Sequence, residues 1–94
     1  MRYKIIVETE ALKDLEDIID FISERGDPNR AYTFAGELKD RIASLETMPI
    51  RCRKSIYTDT KDTRDMIYKG YTIVFQIRED QIHILTIFRQ KSFV

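Results

Sequence analysis

Three β-type runs fill the last third of this 94-residue chain, and they constrain the fold more than any other feature. They cover residues 64–68, 71–77 and 81–88 and are rich in Ile, Val, Phe and Tyr, the residues that strands favour. The links between them, Lys69-Gly70 and Glu79-Asp80, are so short that they favour antiparallel neighbours. The sequence therefore predicts a β-meander at the C-terminal end.

The first half predicts one strand and two helices. Residues 2–8 alternate as a strand does, and apolar residues then recur at helical spacing in two stretches. The first stripe is Ala11, Leu12, Leu15, Ile18, Ile19 and Ile22, and the second is Ala31, Ala35, Leu38, Ile42 and Leu45. The predicted fold is α+β with the order β-α-α-β-β-β, in which an antiparallel helix hairpin packs on a mainly antiparallel sheet. We expect residues 1–94 to form a single domain.

Local signals predict where these elements begin and end. Thr9 is a plausible N-cap of the first helix, and Gly26 is expected to end that helix in the left-handed conformation. Asp27 is expected to cap the second helix, with Pro28 in its first turn. In the connector over residues 50–63, Ile56-Tyr57 is the candidate for a brief edge strand.

Charge and cysteine content narrow the class of protein. The formal net charge is zero, yet residues 1–47 carry 7 Lys/Arg against 11 Asp/Glu and residues 48–94 carry 9 against 5. This asymmetry is compatible with a face that meets an anion or acidic partner, and equally with ordinary solvated charges. Cys52 is the single cysteine and no apolar run approaches the ~20 residues of a membrane span. We therefore expect a cytoplasmic protein that does not enter a membrane.

The residues do not form a familiar catalytic template. His83 is the only histidine, and strand alternation places it on the face opposite Ile82 and Ile84, where a structural or surface role is expected. One histidine and one cysteine are too few for a His/Cys metal set, so we predict no metal and no cofactor. Cations near strand ends, including Arg64, Arg89 and Lys91, could bind phosphate or could form surface salt pairs. We expect these three on the sheet face opposite the helix hairpin and at the C-terminal edge of the sheet.

Several segments, in this order, resemble the RelE/ParE toxins of bacterial type II toxin–antitoxin systems. They are Ala11-Leu12-Lys13-Asp14-Leu15-Glu16-Asp17-Ile18, Arg30-Ala31-Tyr32-Thr33-Phe34, Leu45-Glu46-Thr47-Met48-Pro49, Arg64-Asp65-Met66-Ile67 and Tyr71-Thr72-Ile73-Val74-Phe75. The resemblance covers almost the whole chain. It implies the same fold, a cognate antitoxin that can form a hetero-oligomer with the toxin, and one of two targets. RelE-like members cut mRNA on the ribosome, whereas ParE-like members poison DNA gyrase, a type of activity associated with plasmid stabilisation.

Two departures from the nuclease pattern make this chain more similar to ParE. Thr72 stands where RelE-like nucleases commonly have arginine, and Phe88 or Arg89 stands where a histidine is often found. The resemblance thus implies a gyrase poison that binds its target without a covalent step, with Arg64, Arg89, Lys91 and Phe93 as target contacts. The alternative is a metal-independent endoribonuclease that uses Arg64, Arg89, Lys91 and Tyr71. A third possibility is an inactive toxin that keeps only its antitoxin.

Antitoxin binding is expected on the helix hairpin and the sheet, through an amphipathic segment in an apolar groove or through strand addition. Tyr32 and Phe34 are the candidate anchors, since aromatic side chains dominate interface energies. Packing of these two rings at the hairpin crossing is the alternative interpretation.

Overall fold

A computed structural model describes residues 2–47 and 49–89. The expectations for Lys91 and Phe93 fall outside these ranges. The elements are strand β1 (Lys4–Val7), helix α1 (Thr9–Arg25), helix α2 (Pro28–Ala43), strand β2 (Arg53–Lys54), strand β3 (Thr63–Tyr68), strand β4 (Tyr71–Arg78) and strand β5 (Gln81–Arg89), with short 3₁₀ turns at Ser44–Glu46 and Pro49–Arg51. Within the described residues, no helix is both long and apolar enough to cross a membrane.

The strands form one sheet in the order β1-β5-β4-β3-β2. β2, β3, β4 and β5 pair antiparallel, while β1 pairs parallel with β5 along its length. Both predicted tight turns are present, and Lys69, Gly70 and Glu79 have φ values of 47°, 84° and 55°. The predicted α+β fold, a helix hairpin on a mainly antiparallel sheet, is confirmed.

The core lies between the helix hairpin and one face of the sheet. The buried stripe of α2 and the turn that follows it, from Ala31 to Leu45, is confirmed at every predicted position. The first helix buries Ala11 and Leu15 but leaves Leu12 49% exposed. Phe75 of β4 is fully buried in this core. Each buried apolar side chain of this size contributes about 1.5–3 kcal/mol to folding.

Three local expectations are wrong. The brief edge strand lies at Arg53–Lys54 instead of Ile56-Tyr57, because pairing with β3 and not local β-propensity determines where this strand forms. The N-cap position of α1 is Glu8 rather than Thr9. Gly26 follows α1 with a φ of −152°, which is not left-handed, since the chain turns directly into α2.

Asp14, which the helical pattern places on the solvent side of α1, protects the edge of β5. Its Oδ2 atom accepts hydrogen bonds from the Thr86 hydroxyl at 2.7 Å and from the Ile87 amide at 3.0 Å. β1 pairs with β5 only as far as Ile84. The carboxylate thus satisfies an edge amide beyond the end of β1, where an unpaired strand edge would invite aggregation.

Candidate functional site

Arg64 is held by the backbone of the connector that follows α2. One guanidinium nitrogen, Nη1, donates to the carbonyl oxygen of Cys52 at 2.7 Å and to that of Ile50 at 3.4 Å. Arg64 pairs across the sheet with Phe75, so the two side chains share the face that the helices cover. The expectation that Arg64 lies on the opposite face or the C-terminal edge of the sheet is therefore wrong. The side chain is half-buried and attaches the connector to β3.

Arg89 is more exposed than Arg64 and lies at the opposite end of the sheet. It is exposed at the end of β5 and pairs across the sheet with Tyr71. Both residues line a shallow surface depression together with Asp17, Ile18 and Phe21 of α1. The structure thus brings Arg89 and Tyr71 together, as the nuclease hypothesis required, and places them beside an apolar wall.

The sheet register keeps Arg64 apart from this pair. Arg64 is level with Phe75, whereas Arg89 is level with Tyr71, four residues further along β4. Four residues along a strand span about 13 Å and two inter-strand spacings span about 10 Å, so the Cα atoms of the two arginines are about 16 Å apart. While Arg64 keeps its carbonyl partners, its guanidinium group is directed at the connector and is not placed beside Arg89 and Tyr71.

A cluster of charged and aromatic side chains joins α2 to the turn between β3 and β4. The Glu37 carboxylate accepts hydrogen bonds from the Tyr68 hydroxyl and from Lys69 Nζ, the latter at 2.7 Å. The Arg41 guanidinium lies 4.9 Å from the centre of the Tyr68 ring, a cation–π contact. The hydrogen bonds from Lys69 and Tyr68 hold the pKa of Glu37 below its usual range, and the bond to Glu37 raises the pKa of Lys69.

Sequence reasoning missed this cluster, because Glu37 and Tyr68 are 31 residues apart and no local pattern connects them. The cluster attaches the β3–β4 turn to the helix hairpin on the same side of the molecule as Tyr71. Phe34 of α2 contacts both tyrosines: its ring is stacked on Tyr68 with centres 6.2 Å apart and tilted against Tyr71 with centres 5.0 Å apart.

The two candidate antitoxin anchors therefore differ in accessibility. Tyr32 is 77% exposed on α2, so its ring is available to a partner. Phe34 is half-buried and packs against the core. The Phe34 ring packs against Tyr68 and Tyr71 of the sheet, and the choice between an antitoxin anchor and packing at the hairpin crossing stays a prediction.

Cys52 packs against the core beside Arg64. Its side chain is half-buried, and burial raises the pKa of the thiol, although Arg51 and Arg64 act in the opposite direction. The thiol is thus kept in its neutral form, which is weakly nucleophilic.

An apolar groove runs beside β1. Ile5 and Val7 of β1 form one wall, and Leu12, Ile42 and Ala43 of the two helices form much of the remainder. Lys39 and Glu46 supply charges in its lining. Val7 and Leu12 are 43% and 49% exposed, so large apolar side chains face solvent along this groove.

The outer backbone edge of β1 borders the same groove. The amides of Lys4 and Glu8 donate to Asp80 and Ile84, on the β5 side. Because successive residues of a strand point their amides in opposite directions, those of Ile5 and Val7 point away from β5. β1 is the first strand in the sheet order, and within residues 2–47 and 49–89 no strand pairs with this edge, although Tyr3, just before β1, donates to the carbonyl oxygen of Glu46 at 2.8 Å.

The sequence matches the family model described as "ParE toxin of type II toxin-antitoxin system, parDE" over residues 5–92. The chain belongs to this ParE toxin family. The matched region contains every described element except the first residue of β1. A comparison with curated proteins found no match.

Solved structures with the same fold include members of two toxin–antitoxin types. A chain of the chromosomal ParDE toxin–antitoxin system from P. aeruginosa superposes with a TM-score of 0.82 at 16% identity, covering 96% of this chain and 98% of the other. A chain of the RelBE2 toxin–antitoxin complex from Mycobacterium tuberculosis superposes with a TM-score of 0.67 at 17% identity, covering 96% and 93%. At such low identity these similarities establish the ParE/RelE-like fold alone.

Proposed function

We propose that this ParE-family chain is a cytoplasmic toxin that binds DNA gyrase and stalls it on cleaved DNA, without a covalent step of its own. The separation of Arg64 from Arg89 and Tyr71 carries the proposal. Metal-free RNA cleavage needs cations and a proton carrier around one phosphate. Here Arg64 is engaged by backbone carbonyls, while Arg89 and Tyr71 lie at the other end of the sheet.

In this proposal the exposed end of β5 contacts the target. Arg89 is accessible there, beside an apolar depression that includes Phe21 and Ile18. Arginine is enriched among the interface residues that contribute most to binding, and the apolar depression beside Arg89 can exclude water around it in a complex. Lys91 and Phe93, which follow Arg89 in sequence, extend the proposed contact. Arg64 then contributes indirectly, by holding the connector against β3.

A gyrase supercoiling assay and mapping of mRNA ends on translating ribosomes separate the two targets. The wild-type chain should inhibit supercoiling and leave mRNA intact. Arg89→Ala should weaken inhibition about tenfold or more, the loss expected when an interface arginine is truncated. Arg78→Ala is the matched control, since Arg78 is an exposed strand-end arginine of β4 next to the other turn. Cuts in the ribosomal A site that Arg64→Ala abolishes would favour the nuclease instead.

We further propose that the cognate antitoxin occupies the groove beside β1. An extended antitoxin segment can pair with the outward-pointing backbone groups of Ile5 and Val7, as strand addition requires. Its apolar side chains then fill the groove against Leu12 and Ile42.

An amphipathic helix following that segment can continue along α2. Tyr32 lies seven residues before Lys39, and Ala43 lies four residues after it, so the three share one side of the helix. Lys39 and Ala43 line the groove, and the exposed Tyr32 ring lies further along the same side. Tyr32 therefore remains a proposed antitoxin anchor. Phe34 contributes by packing α2 against Tyr68 and Tyr71 of the sheet.

Substitutions of exposed apolar residues test this docking site. Leu12→Glu places a charge in the groove and should weaken binding of the cognate antitoxin by at least about tenfold. Ile56→Glu is the control, because Ile56 is 67% exposed on the connector, outside the groove. Equal binding by Leu12→Glu and the wild type would place the antitoxin elsewhere.

A further inference from the structure

The depression beside Arg89 combines an apolar wall with charged side chains. Ile18 and Phe21 of α1 form the apolar wall, and Tyr71 of β4 adds an aromatic ring with a hydroxyl group. Arg89 of β5 and Asp17 of α1 are the charged residues of the lining. The depression has a volume of about 260 Å³, which is enough space for one large apolar side chain of a partner.

The apolar wall is in contact with water in the free chain. Phe21 is 43% exposed, and the Arg25 guanidinium lies 4.9 Å from the centre of its ring. Phe21 lies one helical turn after Asp17, so the two side chains project from the same side of α1. A partner side chain that covers Phe21 and Ile18 removes apolar surface from water, which favours binding. The wall therefore favours an aromatic or large aliphatic side chain.

The charges around Phe21 favour an acidic group in the partner. Arg25 and Arg89 carry two positive charges, against one negative charge on Asp17. The salt bridges found within residues 2–47 and 49–89 include neither of these arginines. A guanidinium group can bind a carboxylate through two parallel hydrogen bonds. A carboxylate next to an apolar side chain can thus reach Arg89 while its neighbour covers Phe21.

A protein segment fits this surface better than a DNA strand does. Phosphate groups are repelled by Asp17, and proteins that bind DNA commonly neutralise several phosphates with several cations. A base could stack on Phe21, but Arg25 already contacts that ring. Aromatic residues and arginine are instead enriched in protein–protein interfaces. The lining of the depression therefore indicates a protein partner.

We propose that the depression binds a segment of gyrase in which an aspartate or glutamate is adjacent to a large apolar residue. The apolar side chain packs on Ile18 and Phe21, and the carboxylate pairs with Arg89. Phe21 and Ile18 thereby join Arg89 as target contacts. The identity of the partner rests on the proposed function, whereas the preference for an acidic, apolar segment rests on the lining of the depression.

Short capped peptides test this preference without gyrase. Acetyl-Glu-Phe-amide is titrated at millimolar concentrations into the isotope-labelled free chain, and the amide signals of Phe21 and Arg89 should shift. Its affinity should be about three- to fivefold higher than that of acetyl-Gln-Phe-amide, the effect of a partly exposed ion pair. It should be about tenfold or more higher than that of acetyl-Glu-Ala-amide, which lacks the large apolar group.

A charge reversal in the chain provides the matched variant. Arg89→Glu should reverse the preference, so that acetyl-Lys-Phe-amide binds more tightly than acetyl-Glu-Phe-amide, whereas Arg78→Ala should bind the peptides as the wild type does. A residue that only maintained the fold would not reverse the preferred charge. Equal affinities for the Glu and Gln peptides, or no binding of any peptide, would overturn the inference.

DNA cleavage by gyrase tests whether the partner is the proposed target. Phe21→Ala should shift the accumulation of linear DNA to about tenfold higher toxin concentration. Ile56→Ala is the control, because Ile56 is exposed on the connector, outside the depression. Unchanged poisoning by Phe21→Ala, with or without weaker antitoxin binding, would overturn this inference and leave the gyrase proposal standing. The predicted peptide preferences without any effect of the wild type on gyrase would instead overturn the proposed function and gyrase as the partner.

Discussion

Arg64 and Arg89 carry the same guanidinium group but differ in what surrounds it. Arg64 donates to the carbonyl oxygen of Cys52 and is half-buried, whereas Arg89 is exposed beside Tyr71. Their positions near strand ends made both candidates for target contact. The sequence could not reveal the difference, because the carbonyl partners of Arg64 lie 12 and 14 residues away in an irregular connector.

Asp27 is a residue whose role the sequence predicted fully. Its Oδ1 atom accepts a hydrogen bond from the Asn29 amide at 2.9 Å, as an N-cap does. Asp27→Ala should lower the free energy of unfolding by about 1 kcal/mol, measured by urea denaturation. Asp27→Ser is the control, since serine caps almost as well. Equal losses in the two variants would mean that the carboxylate acts in some way other than capping.

Glu37 is expected to make stability depend on pH. The bonds from Lys69 and Tyr68 hold its pKa below the usual range in the folded chain. A depressed carboxyl pKa contributes stability above the pKa of the unfolded chain, and this contribution is lost as pH falls through the depressed value. Glu37→Gln should therefore lower the thermal midpoint at neutral pH and flatten its decline in acid. The decline should stay unchanged in Asp40→Asn, a control on the exposed side of the same helix.

Short-range sequence patterns correctly predicted those features of the helices and turns that depend on neighbouring residues. The buried stripe of α2 from Ala31 to Ile42 follows from helical periodicity, and the Lys69-Gly70 turn follows from its length and its glycine. The pairing of strands that are distant in sequence could not be predicted from such patterns. The parallel pairing of β1 with β5 joins residues 77 positions apart, and it creates the open edge that borders the groove.

Substitution of Gly36 in α2 and of Gly70 in the β3–β4 turn should change the stability of the chain in opposite directions. Gly36 lies inside α2 with space for a methyl group, so Gly36→Ala should stabilise the chain by about 1 kcal/mol. Gly70 also has space, but its φ of 84° is left-handed. Gly70→Ala should therefore destabilise the chain by about 1–2 kcal/mol. Urea denaturation should show opposite signs, and equal signs would contradict the backbone argument.

Two surfaces of the molecule receive different proposed roles. The groove along β1 and α2 is assigned to the antitoxin, and the exposed end of β5 is assigned to the target. The charge asymmetry of the sequence does not predict this division. Lys39 in the groove belongs to the acidic half of the chain, and Asp65, buried in β3, belongs to the basic half.

Accumulation of cleaved DNA shows directly whether the chain poisons gyrase. Gyrase, supercoiled plasmid and ATP are incubated with the chain, the reaction is stopped with detergent and protease, and linear DNA is quantified. We predict that linear DNA rises with toxin concentration, that Arg89→Ala shifts this rise to about tenfold higher concentration, and that Arg78→Ala does not. Unchanged levels of linear DNA at saturating wild-type toxin, together with mRNA cuts on ribosomes, would mean that the chain is a nuclease and not a gyrase poison.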